Sequence, residues 1–210
     1  MPTIKINPLT TKHTERIIEI ITDGFENYPL MKYFFGDSHR KPLQHLSQLI
    51  CDETFEDGND KRLILGAFVE ENLQGVAYIS LTIPQNEENN YDTEKTPAPS
   101  EKKFATAVGE EAMMRIEAYL NLKKANKPSF PHFYINTFAV NPQNQGKGIG
   151  SAILSHIHQM SEQHPDSQGV ALDTQTQQNV EYYQRFGYSI SNTAELDNVN
   201  NWFMFRPNNN

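Results

Sequence analysis

The alternation of apolar and polar side chains in Thr3-Ile4-Lys5-Ile6-Asn7-Pro8 has the two-residue period of a half-buried strand. Ile17, Ile18, Ile20 and Ile21 then recur at helical spacing behind Thr10 and Thr11, residue types that cap helix N-termini. Gly24 and Pro29 punctuate the next stretch, and a second helix is predicted over about Leu43 to Phe55, ending at the turn-forming run 57–60. The runs RLILGAFVE and QGVAYISLTI, joined through EENL, read as a hairpin. Residues 85–103 are polar, proline-bearing and without apolar periodicity, which predicts a loop. A long helix is predicted over 104–123, where Met113, Met114, Ile116, Tyr119, Leu120 and Leu122 fall at helical spacing. HFYINTFAV is the most strand-like run and leads through a glycine-rich turn into a helix bearing Ile149, Ile153, Leu154, Ile157 and Met160. GVALDT reads as a short buried strand, QQNVEYYQRFGY as a helix stopped at Gly187, NNWFMFRP as a last strand, and 207–210 as a polar tail. The order βααββαβαβαβ predicts an α/β (mixed α+β) single domain, a central mixed twisted sheet with helices on both faces.

Composition narrows the function. A chain of 210 residues, 37% hydrophobic and 10% aromatic, can build one substantial core, which excludes disorder throughout. Eighteen basic against 26 acidic residues give a net charge of −8, which repels nucleic-acid phosphates and anionic lipid, so no nucleic-acid or membrane partner is expected. The single cysteine, Cys51, can make no internal disulfide and cannot alone hold a structural metal, which suits a reducing compartment. With no apolar signal-like run at the N-terminus and no stretch approaching 18 to 20 apolar residues, a cytoplasmic protein, monomer or homodimer, is expected.

Candidate chemistry sits in Gln145-Gly146-Lys147-Gly148-Ile149-Gly150. Glycines where a strand turns into a helix leave successive backbone N–H groups exposed at the helix N-terminus, a cradle for a pyrophosphate that needs no metal. A nucleotide-triphosphate loop would need Lys and then Ser or Thr after its last glycine, but Gly150 is followed by Ser151 and Ala152. The dinucleotide pattern GxGxxG is absent, since the glycines fall at 146, 148 and 150.

The run VNPQNQGKGIGSAIL resembles the acyl-CoA pyrophosphate loop of the GNAT N-acetyltransferases, with Gln145, Gly148 and Gly150 on the family pattern. Asn179, Tyr183, Gly187 and Tyr188 repeat that family's second motif at its usual separation. GFENYP near the N-terminus, LDTQ and the closing NWFMFRP extend the likeness to the puromycin N-acetyltransferase-like branch. The resemblance implies a GNAT-type domain that moves an acetyl group from acetyl-CoA, without a metal, to a primary amine of a small molecule, by direct transfer in a ternary complex. It implies that the strand ending Phe138, Ala139, Val140 splays from its neighbour and lends main-chain groups to the pantetheine arm and to the oxyanion. By the same resemblance Gln145, Gly146, Lys147, Gly148, Ile149, Gly150 and Ser151 hold the pyrophosphate, and Asn179 the pantetheine amides. Phe25, Tyr28 and Pro29 would wall the acceptor site.

Transfer to an amine needs a neutral amine, a stabilised oxyanion and a proton for the thiolate. A tyrosine, protonated at pH 7, can give or share that proton, and Tyr183 occupies the family position. Tyr182 reads as a core aromatic. The general base is not fixed by spacing among Glu26, Glu110, Glu111, His132 and Asp173. Asp173, which ends a buried strand beside the expected thioester, is the candidate, against a purely structural carboxylate. An acyl-CoA-binding regulatory module, or a protein-amine acetyltransferase, is the alternative reading.

Overall fold

The computed structural model describes residues 3–56, 61–83 and 97–209. Its elements run β1 (Ile4–Pro8), α1 (Thr14–Phe25), α2 (Pro29–Phe35), α3 (Arg40–Glu56), β2 (Arg62–Val69) and β3 (Asn72–Thr82). They continue with α4 (Pro99–Val108), α5 (Glu110–Asn126), β4 (His132–Val140), α6 (Ile149–Gln163), β5 (Gly169–Thr174), α7 (Gln177–Gln184), β6 (Ser189–Leu196) and β7 (Val199–Pro207). The strands form one mixed sheet in the order β1-β2-β3-β4-β5-β7-β6, in which β4 and β5 pair in parallel and the other described pairs are antiparallel. Parallel neighbours need a crossover, and α6 supplies it.

Alternation along the strands gives the sheet two apolar faces. Leu65, Ala77 and Ile79 pack with Ile153, Leu154 and Ile157 of α6 on one face. Ile64 and Val76 pack with Ile17, Ile20 and Ile21 of α1 on the other. Each such fully buried Val, Leu or Ile side chain contributes about 1.5–3 kcal/mol.

The β2–β3 hairpin closes through Glu70 and Glu71, both with positive φ (48° and 65°), the left-handed pair of a two-residue hairpin turn. The long helix expected over 104–123 is two helices, because Gly109 at φ 85° donates its N–H to the Ala105 carbonyl and ends α4. The polar loop expected over 85–103 is corrected at its end. Pro99–Lys103 are the start of α4, with Pro99 in the first turn and the Glu101 carboxylate accepting from the Ala98 N–H at 2.7 Å. The remainder of that loop, 85–96, and the turn at 57–60 except for the edge at Lys61, lie outside the described residues.

Two elements escape the periodicity. α2 is a seven-residue helix whose Leu30, Met31 and Phe34 are buried, too short for a repeat to show. β6 is an edge strand with almost wholly exposed side chains, so it carries no apolar alternation. The polar tail is also corrected: Pro207 belongs to β7, and Asn208 Nδ2 donates to the Ser161 and Ser167 carbonyls at 3.0 and 2.7 Å. Among the described residues no helix is long and apolar enough to cross a membrane.

Burial, then the nearby Arg206 guanidinium, lowers the His158 pKa to about 4; the ring faces the Tyr188 hydroxyl at 3.0 Å. As pH falls from about 6.5 the unfolded chain takes up a proton that the folded chain refuses, so stability declines, by about 3 kcal/mol at pH 4. The melting temperature should therefore fall more steeply between pH 6.5 and 4 in the wild type than in His158→Gln. Parallel melting curves against pH would contradict this.

Candidate functional site

The site grows from an irregularity in β4. In its pairing with β3, Tyr78 faces Thr137 and Ile79 faces Ile135, so Asn136 is an extra residue, a bulge. The bulge shifts the side-chain phase: Phe133 and Ile135 pack into the α6-side core, and so do Phe138 and Val140, while Ala139 packs towards α1. On the other edge of β4 the pairing with β5 ends at Ile135–Leu172, although β4 continues to Val140 and β5 to Thr174. The last five residues of β4 thus keep β3 on one side and have no strand partner on the other. This is the divergence expected around Phe138, Ala139 and Val140.

Beyond the divergence Asn141, through its Oδ1, accepts the Gln143 N–H at 3.1 Å and starts a short 3-10 turn. Gln74 of β3 pins this turn, since its Oε1 accepts from Asn141 Nδ2 at 3.0 Å and from Asn144 Nδ2 at 2.8 Å. Lys147 Nζ braces it further, donating to the Gln143 carbonyl and to Asn144 Oδ1 at 3.2 and 2.7 Å. Gln145 Nε2 reaches the Val140 carbonyl at 3.4 Å. Gly146 and Gly148 have φ of 76° and 82°, and Gly148 is the N-cap of α6. Both dihedrals lie in the left-handed region that other residues enter only at a cost of about 1–2 kcal/mol. Gly150 serves a different end: a Cβ there would lie 2.7 Å from Tyr182 Oη and 3.3 Å from Phe138 Cζ. The turn therefore presents bare backbone at Gly146, Gly148 and Gly150, with Lys147 folded back onto 143–144 and Ile149 buried in the core, at a 15-residue helix whose N-terminus favours an anion.

α7 starts at Thr176, whose hydroxyl accepts the Asn179 N–H. Asn179 is thus not the cap, and its Nδ2 donates to Thr174 Oγ1 at 3.1 Å, across the end of β5. One turn on, Tyr183 is buried, its ring against Phe138, Tyr182 and Tyr188. Burial first, and then the neighbouring Tyr28 hydroxyl, hold its pKa well above the ordinary tyrosine value. Tyr182 packs against the α6-side core, as expected, and its hydroxyl stands over Gly150.

Asp173 lies where the strands part. Tyr119 donates to its Oδ2 and Tyr134 to its Oδ1, both at 2.7 Å, Gln175 Nε2 adds a third bond at 2.8 Å, and Lys123 Nζ stands 3.9 Å from Oδ1. Lys123 also donates to Asn136 Oδ1 at 2.8 Å, tying the bulge to α5. Of the other carboxylates considered, Glu26 pairs with Arg40 at 3.0 Å and Glu111 pairs with Arg115. His132 is buried at the far end of β4, about 20 Å of strand from Phe138. Phe25 and Tyr28 stack edge to face at 5.0 Å ahead of Pro29, the first residue of α2. Tyr28 crosses to β5, its Oη 2.9 Å from Thr174 Oγ1. The structure thus brings Tyr28, Asp173, Asn179, Tyr183 and the end of β4 around one divergence, and leaves Glu26, Glu110, Glu111 and His132 outside it. Sequence reasoning passed over Gln74, for which no motif spacing gave a signal, and met Thr174 and Gln175 only within the run LDTQ, without a role. Among the described residues no three His, Cys, Asp or Glu side chains converge as metal ligands.

The sheet thus opens between its parallel strands, with the glycine turn after β4 and the Tyr183 ring against Phe138. Residues 104–190 match the family model of the acetyltransferase (GNAT) domain. The fold aligns over 100% of the chain with 98% of a Corynebacterium glutamicum histone acetyltransferase HPA2 and related acetyltransferase, at 20% identity and a TM-score of 0.71. Arylalkylamine N-acetyltransferase 2 from Aedes aegypti aligns over 99% of this chain and 100% of its own, at 16% identity and a TM-score of 0.68. The Drosophila melanogaster polyamine N-acetyltransferase does so over 97% and 98%, at 15% and 0.66. At such identities these likenesses are ones of fold. The match over 104–190, together with the fold, supports an acetyl-CoA-dependent N-acetyltransferase as the enzyme class.

If the 146–151 amides hold the donor's pyrophosphate, acetyl-CoA should stabilise the fold by about 1.4 kcal/mol for each tenfold excess over Kd, read as a raised melting temperature that persists in EDTA. Gly148→Asp, which sets a carboxylate and a Cβ into the turn, should abolish that shift. A retained shift in the variant, or an EDTA-sensitive one in the wild type, would contradict the assignment.

Proposed function

We propose that the protein transfers the acetyl group of acetyl-CoA to a primary amine of a small molecule, directly, within a ternary complex. The observation that carries this reading is the divergence of β4 from β5, flanked by the glycine turn on one side and by Tyr183 on the other. A pure acyl-CoA-binding module needs the turn, but has no use for a buried tyrosine beside the opening. Main-chain groups of Phe138, Ala139 and Val140 that β3 does not take are the candidates for the pantetheine arm and the oxyanion. Gln145, Gly146, Lys147, Gly148, Ile149, Gly150 and Ser151 are assigned to the pyrophosphate, and Asn179 to the pantetheine amides.

Tyr183 keeps its proton at neutral pH, because burial holds its pKa high. A free thiol titrates near 8.5, so complete transfer from such a tyrosine to the thiolate is uphill unless the phenol regains a proton in the same event. The amine loses one on becoming an amide. Tyr183 therefore passes its proton to sulfur while the substrate's nitrogen replaces it. Asp173, with three hydrogen bonds and a lysine around it, serves the reading better as an anchor of the strand ends than as a base.

A small acceptor is supported by the elements that meet beside Tyr28. Burial, then the charge of Asp197 and a hydrogen bond to it, raise the Tyr33 pKa, so α2 reaches the β6–β7 turn. Arg115 of α5 donates to the Tyr33 carbonyl at 3.1 Å. Phe25, Tyr28 and Pro29 then form the inner wall. Two of the fold neighbours, an arylalkylamine and a polyamine N-acetyltransferase, agree with an amine acceptor. The puromycin N-acetyltransferase-like branch and a cytoplasmic setting belong to the same proposal. A screen of small amines and peptide lysines, following free thiol release, tests it. Turnover should occur with a small primary amine and fall by about 10²- to 10⁴-fold in Tyr183→Phe, with acetyl-CoA binding retained. Turnover on peptides alone, or a fully active variant, would refute it.

A further inference from the structure

The hydroxyls of Tyr28 and Thr174 stand 2.9 Å apart, and their remaining neighbours are donors. The Gln175 N–H donates to Tyr28 Oη at 3.0 Å, and Asn179 Nδ2 donates to Thr174 Oγ1 at 3.1 Å. Two hydroxyls bring two protons, and the bond between them uses one. Neither the Gln175 amide nor the Asn179 amide nitrogen can accept the other. Thr174 is 1% exposed, where an unused donor would be costly, and Tyr28, a half-buried side chain whose pKa burial raises, keeps its own proton. The consistent arrangement has Thr174 donating to Tyr28, with Tyr28 holding the spare proton. Its position is set by the end of β5 and by the first turn of α7, the helix that carries Tyr183.

We propose that the Tyr28 O–H donates a hydrogen bond to the oxyanion of the acetyl-transfer reaction, and that Thr174 and Gln175 are the positioning residues that aim it. This rests on the acetyltransferase reading above. The amine lone pair forms the C–N bond as the carbonyl π pair moves onto oxygen, and Tyr28 steadies that charge without giving up its proton. On collapse the pair returns to the carbonyl, the C–S bond breaks, and sulfur takes the Tyr183 proton, which the nitrogen replaces. Tyr28 thus acts on the reacting atoms as well as lining the acceptor side.

With an amine found in the screen, Tyr28→Phe should lower kcat by about 10²-fold, the usual effect of removing one oxyanion donor, with the amine KM and the acetyl-CoA Kd little changed. Thr174→Val should lower kcat severalfold and Thr174→Ser should restore it, a rescue that a packing role would not produce. A Tyr28→Phe variant that changes only KM, or Thr174 variants that both match the wild type, would overturn the proposal while a defective Tyr183→Phe left the transferase reading standing. A wild type without turnover on any amine would overturn both.

Discussion

Parallel strands stay in register unless something forces them apart, and here β4 leaves β5 after the Ile135–Leu172 pair. Two features coincide with that point. The Asn136 bulge adds a residue to β4 without adding one to β3, which raises the local twist. Asp173, the next residue of β5, fills the base of the gap with a carboxylate whose 5% exposure leaves it almost no water. A buried charge is tolerated only when hydrogen-bonded, and Tyr119, Tyr134 and Gln175 meet that need. Burial lowers the Lys123 pKa while the nearby Asp173 opposes that shift, and the same ammonium bonds Asn136. Bulge and carboxylate are therefore joined by one side chain, and α5 holds both.

The candidate site residues are arranged around that opening. The edge of β4 freed by it supplies main-chain groups, and Gln74 fixes the turn that follows. α7 starts against the shorter strand and carries Tyr183 to the same place. Tyr28, more than a hundred residues earlier in the chain, closes the arrangement through Thr174 and Gln175. Gln175 serves twice, its amide N–H to Tyr28 and its side chain to Asp173 and Asn201, which couples Tyr28 to the anchor.

Much of this was legible in the sequence where local rules dominate. The bounds of β4 and β5 match the apolar runs HFYINTFAV and GVALDT, and the glycines at 146 and 148 occupy the left-handed positions their residue type announces. The order of motifs placed Tyr183 and the turn on one opening. What stayed hidden depends on long-range contact. β6 is stabilised by its pairing with β7 rather than by burial, and α2 by the pocket its three apolar residues fill. Residues 99–103 look like loop because their helix packs against α3 through Phe104 alone among its buried side chains. The Asn136 bulge and the Tyr28–Thr174 pair carry no sequence signature, because each is defined by what lies opposite it in the sheet or across the fold.

The central claim is that the gap between β4 and β5 receives the donor. Hydrogen exchange of the backbone amides with and without acetyl-CoA tests it most directly. Amides in 138–140 and 146–151 should slow on addition of the ligand, while those of α3 and β6 stay unchanged. Slowing confined to other elements, with 138–140 unaffected at saturating acetyl-CoA, would contradict the account.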